Sequence, residues 1–273
     1  MAKRPTKSLC SKSALPASDY VINPYVGCTH RCRYCYARFM GRFTGHSEPW
    51  GTYLEPRVYA SLALPRHLAG KTILIGSVTD PYQPAEARLL QMPPILKALR
   101  GCEGRVEMLT KSTLVVRDLA LLQEIPEVAV GISLSNLSQA DNDALEPGAS
   151  SAAERLEALR TLHGAGISTY LFAAPYLPGV TNLTVLAEAA KGAAEYLCVE
   201  ILFLRGGYKA EMLAVMGGLH PELTGLYRSI YQEKGGTYWE EVEAEILALG
   251  RTLDIPVRSY LHHEKIKKGA KKT

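Results

Sequence analysis

Along the chain, short apolar runs rich in β-branched residues alternate with longer stretches of helical periodicity, an order that signals βα units and a parallel sheet. Six strands are predicted, at Tyr20–Ile22, Thr72–Val78, Val106–Lys111, Val128–Ser135, Ser168–Ala174 and Glu195–Leu204. Most of these runs are almost continuously apolar, which fits strands covered on both faces better than a half-exposed antiparallel sheet. Helices are expected at Ala85–Arg100, with a break at Pro93 and Pro94, and at Val115–Glu124, Ala152–His163 and Leu183–Ala194. Gly164 and Gly166 stand where a left-handed cap would end the third of these, and Asp118 and Asn182 stand near helix starts. Two further helices, around Pro221–Gln232 and Tyr238–Leu253, and a late strand, Val257–Leu261, complete the body, with no internal repeat and no interdomain linker.

Polar residues gather where the predicted strands end, in Gly76-Ser77-Val78-Thr79-Asp80, Thr110-Lys111-Ser112 and Ser133-Leu134-Ser135. Ordinary strand-end capping explains one such group. Three in succession point to a shared site, because in β/α barrels the carboxyl ends of the strands converge on one face.

Composition narrows the class. With 273 residues, 47% of them apolar and 21% charged, the chain is long enough to bury a core without disulfides or a structural metal, and disorder throughout is excluded. The longest apolar stretches, such as Tyr196–Leu204 with Glu200 inside it, fall far short of the ~20 residues that span a bilayer, so no membrane role is expected. Met1–Lys12 has no apolar segment of the kind a secretory signal carries, and the expected location is the cytoplasm. The net charge of +4 sits at the ends: residues 1–12 and 265–273 carry four and five basic residues and no acid, leaving 22 basic against 27 acidic residues between them. Such a body does not grip a long duplex through its folded surface. The basic ends read as solvated tails, with contacts to nucleic acid as the alternative.

Of six cysteines, Cys10, Cys102 and Cys198 are scattered, whereas Cys28, Cys32 and Cys35 fall within eight residues, in GCTHRCRYCYA. Three thiols so close suggest a metal. A structural zinc wants four ligands, no second cysteine or histidine pair exists to complete it, and His30 inside the loop is poorly placed to do so. Soft thiolates suit an iron-sulfur cluster, and three of them leave one iron of a 4Fe-4S cubane open to a chelating cofactor.

This CxxxCxxC spacing, with Tyr34 before the third cysteine, resembles the radical SAM superfamily. The segments GSVTDPYQPAE (76–86), TKSTLVVRD (110–118) and ISLS (132–135) look like its spore photoproduct lyase-like branch, and the opening ALPASDYVINPYVGC is similar to the radical SAM mobile pair protein B subgroup. The resemblance runs from about Tyr20 to Leu204, and Leu204-Arg205-Gly206, His220-Pro221 and Tyr238-Trp239 share the branch's look. It implies a partial (β/α)6 TIM-type barrel over 20–204 with the cysteine loop after the first strand, preceded by a basic lead-in (1–19) and followed by a helical extension (205–264) and a basic tail (265–273).

The implied cofactors are a 4Fe-4S cluster on Cys28, Cys32 and Cys35, and S-adenosylmethionine (SAM), cleaved to a 5′-deoxyadenosyl radical that abstracts hydrogen from a substrate. The implied partners are an electron donor such as flavodoxin or ferredoxin and a substrate that is a nucleic acid, a peptide or a small molecule. By position, Lys111 and Ser133 would hold the SAM carboxylate, while Thr79 and Asp80, with Ser77 as an alternative, would face its amino group. Arg155 would pair with that carboxylate or with Glu154 or Glu157, and Tyr34 and Tyr36 would pack against the cluster and adenine. Spore photoproduct lyases place a hydrogen-donating cysteine where this chain has Ser77, which speaks against the same repair reaction. Cys198, on the last predicted barrel strand, is the alternative thiol. A nucleic-acid repair lyase and a non-catalytic module stapled by a metal are the competing readings.

Overall fold

The computed structural model describes residues 2–204, 206, 208–233, 237–253 and 255–261. The chain opens with two short strands, β1 (Arg4–Thr6) and β2 (Ser11–Lys12), then β3 (Tyr20–Ile22) and β4 (Tyr25–Val26). After a one-turn helix, α1 (Gly41–Thr44), come β5 (Glu55–Tyr59) and β6 (Thr72–Ile75). Two helices, α2 (Glu86–Leu89) and α3 (Met92–Leu99), lead to β7 (Arg105–Thr110), and α4 (Leu119–Leu122) leads to β8 (Val128–Ser133). Next are α5 (Gln139–Leu145), α6 (Ala152–Gly164), β9 (Ser168–Tyr176), α7 (Leu183–Ala189) and β10 (Tyr196–Ile201). Helices α8 (Tyr208–Leu219), α9 (Thr224–Gln232) and α10 (Tyr238–Thr252) and strand β11 (Val257–Ser259) close the described chain.

Strands β3, β6, β7, β8, β9, β10 and β11 lie side by side in that order, each parallel to the next, and β2 adds antiparallel to β3. This is a partial TIM-type barrel, open between β2 and β11, and its six predicted strands are β3 and β6 to β10. The late strand is the seventh parallel member. Alternation along the strands divides their side chains. Ile73, Ile75, Val106, Met108, Val130, Ile132, Leu171, Ala173, Leu197 and Val199 are buried in the large core shared with α3, α6, α7 and α10. The intervening residues Ala129, Tyr170, Tyr196 and Cys198 form a second cluster with Leu109, Phe172 and Tyr260, the filling of the barrel. Gly131 belongs to this inner face, because a Cβ there would stand 2.3 Å from the Tyr170 ring.

Several expectations change. The break in the segment 85–100 falls at Leu90, which is left-handed (φ 50°), and not at the prolines. The Glu86 carboxylate accepts from Gln91 N at 2.9 Å and Met92 N at 3.0 Å, so α3 starts there, and Pro93 and Pro94 sit in its first turn, where a missing N–H costs nothing. The segment 113–118 is a tighter 3-10 turn before α4. The amino-terminal stretch, expected to be a solvated end, is held by pairing. β1 runs parallel to β5 in a small three-stranded sheet with β4, Arg4 Nε meets Glu55 at 2.7 Å, and Leu9 and Cys10 reach the main core. Strands β1, β2, β4 and β5 and helices α1, α5 and α8 have no counterpart among the elements expected from the sequence. Residues 265–273, the expected basic tail, and Arg205 of the Leu204-Arg205-Gly206 segment lie outside the described residues. No described helix is long and apolar enough to cross a membrane.

The barrel filling gives a direct test. Gly131→Ala drives a methyl into the Tyr170 ring, and overpacking of this kind costs roughly 1–3 kcal/mol. Urea denaturation should show a lowered midpoint with an unchanged slope.

Candidate functional site

The cysteine loop leaves the carboxyl end of the first barrel strand through β4 and Gly27. That glycine is left-handed (φ 86°), and a Cβ on it would lie 2.3 Å from Tyr53 O, so another residue type there would displace the loop. Cys28 and Cys32 are buried and Cys35 is half-buried. Burial pushes all three thiols up, Cys28 to about 12. Among the described residues no group of three or more His, Cys, Asp or Glu is gathered closely enough to hold a single metal ion.

Two braces hold the loop from opposite sides. From the turn after β6, the fully buried Gln83 accepts from Thr29 N at 2.8 Å and Thr29 Oγ1 at 3.1 Å, and its amide donates to Thr79 Oγ1 at 3.1 Å. Thr79 in turn donates to Gly27 O at 2.6 Å. From the segment after α5, Leu145 O accepts from Arg33 N at 2.8 Å, Gly148 N donates to His30 O at 3.0 Å, and Tyr34 donates its hydroxyl to Glu146. A Cβ on Gly148 would stand 2.6 Å from Thr29 O. His30, enclosed between the braces, makes no hydrogen bond through either ring nitrogen, and burial lowers its pKa.

Behind Tyr34 the strand ends converge. Lys111, just after β7, donates to Ser133 Oγ at the end of β8 and to Ala174 O on β9 at 3.2 Å. Arg155, fully buried on α6, donates through Nη1 to Ser133 O at 2.8 Å. The Glu146 carboxylate lies 2.7 Å from Arg155 Nη1 and 3.4 Å from Lys111 Nζ. Burial alone would raise this carboxyl; Lys111, Arg155 and the hydrogen bonds from Tyr34 and Arg155 outweigh it and hold it at about 2. Glu154 is not the partner of Arg155, since it is taken up in a capping box with Ser151 at the start of α6.

Lys111, Ser133, Arg155 and Tyr34 therefore meet beside the three cysteines. Asp80 lies on the other side of the loop, next to Cys28 and 3.6 Å from His30 Nδ1, with Thr79 and Ser77 near it. The Asp80 carboxylate accepts from Tyr82 N at 2.8 Å, Thr110 Oγ1 at 2.7 Å and Lys111 N at 2.8 Å, which makes it the clasp of its own turn and of the β6 and β7 ends. Thr79 is bound into the loop brace, and Ser77 Oγ accepts from Asn23 Nδ2 at 2.9 Å. Thr79 and Asp80, expected to face a methionyl amino group, both take part in this bracing, and the Asp80 carboxylate still has acceptor capacity beyond its three bonds. Tyr36 is 47% exposed at the rim, its hydroxyl on Ser77 O and its ring stacked on Phe39.

A profile described as the Radical SAM superfamily matches residues 22–188. The chain belongs to this superfamily. Relatives include the uncharacterised protein MJ0683 of Methanocaldococcus jannaschii, 32% identical over 205 residues (75% of this chain, 76% of that protein), and the uncharacterised protein Rv2578c of Mycobacterium tuberculosis, 31% identical over 250 residues (85% and 72%). Among solved structures, spore photoproduct lyase complexed with dinucleoside spore photoproduct superposes with a TM-score of 0.57 at 22% identity, covering 78% of this chain and 64% of that one. A variant of that lyase with bound AdoMet and the same photoproduct gives 0.55 at 20% identity (80% and 66%). The likeness is one of fold, and this chain spans about two thirds of the lyase's length.

Membership in the radical SAM superfamily implies an iron-sulfur cluster and SAM, and the residues present fit both. The donors are three sheltered soft thiols on one loop, as a cubane with an open iron requires. At the adjacent strand ends a lysine, a hydroxyl and an arginine are gathered, and Arg155 Nε and Nη2, Ser135 Oγ and Asn136 Nδ2 are buried without partners, a surplus of donors suited to a polar anionic ligand.

Gln83, Glu146 and Asn23 were not singled out in the sequence. Gln83 can be tested apart from any cofactor: Gln83→Leu keeps the volume but strands the Thr29 amide, at a cost of roughly 1–3 kcal/mol. Amide hydrogen exchange at Thr29 should accelerate more than exchange in the barrel strands.

Proposed function

We propose that the protein is a radical SAM enzyme that holds one 4Fe-4S cluster on Cys28, Cys32 and Cys35 and reductively cleaves SAM at the mouth of the barrel. The observation that carries this reading is the convergence of Lys111, Ser133 and Arg155 beside a doubly braced cysteine loop. Cluster and SAM together supply, on receipt of one electron from a donor such as flavodoxin or ferredoxin, a 5′-deoxyadenosyl radical that takes a hydrogen atom from the substrate.

The chain's own residues position and shelter. The ammonium of Lys111 and the hydroxyl of Ser133 bind the SAM carboxylate, and Arg155 holds Ser133 through its carbonyl. Gln83 and Thr79 on one side and residues 145–148 on the other keep the cysteines in register with that pair. Tyr36, open at the rim, offers its ring to the adenine. The substrate, a nucleic acid, a peptide or a small molecule, approaches over Tyr36 and the inner wall of the barrel.

Anaerobic reconstitution with iron and sulfide should give four irons per chain, in keeping with a single cubane, and dithionite with SAM should give 5′-deoxyadenosine, slowly without substrate. Cys28→Ala, Cys32→Ala and Cys35→Ala should each abolish both signals. Stoichiometric zinc with only trace iron, or loaded and reduced protein that makes no deoxyadenosine, would overturn the reading.

Lys111→Met should weaken SAM binding by roughly 1.5–3 kcal/mol, the loss of a charged hydrogen bond in a sheltered site, with iron and sulfide content unchanged. Equilibrium dialysis with labelled SAM is the measurement, and equal affinity would mean that the ammonium serves another group.

Repair of the spore photoproduct is not part of the proposal. A carbon radical takes hydrogen readily from S–H and poorly from O–H, and Ser77, bound to Asn23, stands where the resembled lyases place their thiol. Cys198 is packed with Tyr170 and Tyr196 in the barrel filling. Incubated with the dinucleotide photoproduct, reduced SAM-loaded wild-type protein should release no thymidylyl-thymidine. Clean repair by the wild type would refute the donor argument.

A further inference from the structure

The segment from Tyr20 to Ser47, which carries the cysteine loop, contains Arg31, Arg33, Arg38 and Arg42, with no lysine and no acid. Acids reach its surface from elsewhere. Glu211 of α8 bonds Arg38 at 2.7 Å and lies near Arg33, Glu48 meets His46 at 3.0 Å, and Glu200 of β10 lies near Tyr36. Arg31, Arg33 and Arg42 are exposed and make no ion pair among the described residues. Apolar rings lie among these charges. The 3-10 turn Tyr36–Met40 and α1 leave Phe39 40% and Phe43 72% exposed, and Arg42 lies over the Phe43 ring at 5.7 Å. Exposed rings beside arginine, with lysine absent, have the composition of a protein-binding patch and not of a solvated face. They do not make a platform for stacked bases, because Phe39 and Phe43 meet edge to face at 84° and no run of parallel rings leads on from Tyr36.

Position indicates what such a partner delivers. Gln83, Thr79 and residues 145–148 brace the inner side of the loop, and the barrel mouth belongs to SAM and substrate. On the outer side, Arg31 and Arg33 flank Cys32. Cys35, half-buried where Cys28 and Cys32 are buried, directly precedes the turn that bears Phe39.

We propose that the exposed face of residues 31–43, formed by Arg31, Arg33, Phe39, Arg42 and Phe43, is the docking surface for an acidic electron-carrier protein that reduces the cluster. The proposal rests on the reading that Cys28, Cys32 and Cys35 hold that cluster. One electron passes from carrier to cluster: the carrier is oxidised by one electron, no bond breaks and no proton moves. The guanidinium groups steer the encounter, and the two phenyl rings supply the small apolar contact of a transient complex. Phe39 and Phe43 lie outward of Tyr36, so carrier and substrate occupy different faces.

The test follows 5′-deoxyadenosine formation by reconstituted, SAM-loaded protein against the concentration of reduced flavodoxin, an acidic carrier, with dithionite as the parallel reductant. For wild type, the flavodoxin concentration giving half the maximal rate should rise several-fold as salt goes from about 0.05 M to about 0.3 M. Arg31→Glu with Arg42→Glu should raise it about tenfold at low salt and flatten the salt dependence. Iron and sulfide content and the dithionite rate should stay as in wild type. Arg160→Glu with Lys191→Glu, an equal change of charge on α6 and after α7, should alter none of these quantities. The proposal is overturned if the first pair needs no more flavodoxin than wild type, if the remote pair loses as much, or if the dithionite rate falls equally. Wild type that turns over with dithionite but not with flavodoxin also overturns it. If Arg31→Glu with Arg42→Glu takes up no iron, Arg31→Gln with Arg42→Gln is measured instead, and an unchanged flavodoxin concentration overturns the proposal. A single-stranded oligonucleotide that binds wild type and not the first pair, with flavodoxin-driven rates unaffected, gives the face to nucleic acid and overturns it as well. Failure of the underlying reading looks different: wild type then makes no deoxyadenosine with either reductant.

Discussion

The site depends on satisfying the backbone of a loop that folds inward. A segment carrying three cysteines across a barrel mouth brings amide and carbonyl groups out of water, and each one left unmatched would cost more than any single contact returns. Here the matching comes from two places far apart in sequence. Gln83 and Thr79 meet Thr29 and Gly27, and the 145–148 segment meets His30, Arg33 and Tyr34. Glycine at 27 and 148 is what lets the braces approach, since a Cβ at either would fall within 2.6 Å of a backbone oxygen. The cysteines are thus positioned by groups that never touch a metal.

The parallel sheet explains why those braces arrive where they do. With the outward residues of each strand committed to the helices and the inward ones to the barrel filling, the polar residues of the strand ends are left at the upper edge. The register places Ser133 beside Phe172 and Thr110 beside Ile132, so Lys111 follows at the level of Ser133 without any long-range adjustment. Asp80 clasps the neighbouring strand ends by binding Thr110 and Lys111 N. Strand order, and not loop sequence alone, brings the lysine to the hydroxyl.

The parts legible in the sequence were those written by local rules. Continuous apolar runs gave the parallel strands, and their polar ends gave Lys111 and Ser133. Cysteine spacing marked the loop as metal chemistry. What escaped depends on distant partners. Glu146, followed by Pro and Gly, looks like an ordinary turn acid, and only its burial against Arg155 and Lys111 distinguishes it. Gln83 sits in a proline-flanked turn with no periodicity to mark it. The prolines at 93 and 94 suit a helix break and a helix start alike, and the Glu86 carboxylate capping the amides of Gln91 and Met92 decides for the start. Charge misled at the amino terminus, where Arg4 and Lys12 belong to strands whose pairing, not whose composition, orders them.

The buried charges at the mouth are poorly explained as a source of stability. Taking an ammonium, a guanidinium and a carboxylate out of water costs several kcal/mol each, and apolar residues of similar volume would often serve a fold as well or better. The large core already contains a long run of fully buried aliphatic residues. A fold needing only cohesion had no use for Arg155 at zero exposure with two of its nitrogens unpartnered. The arrangement makes physical sense if a further acceptor completes it. An anionic ligand entering between Lys111 and Ser133 would meet these donors in a region that water barely reaches, where a charge-assisted hydrogen bond is strongest. Glu146, Ser133 and Ala174 hold the Lys111 ammonium at this point, and a carboxylate entering there would take over one of these contacts, replacing a neutral acceptor with a charged one.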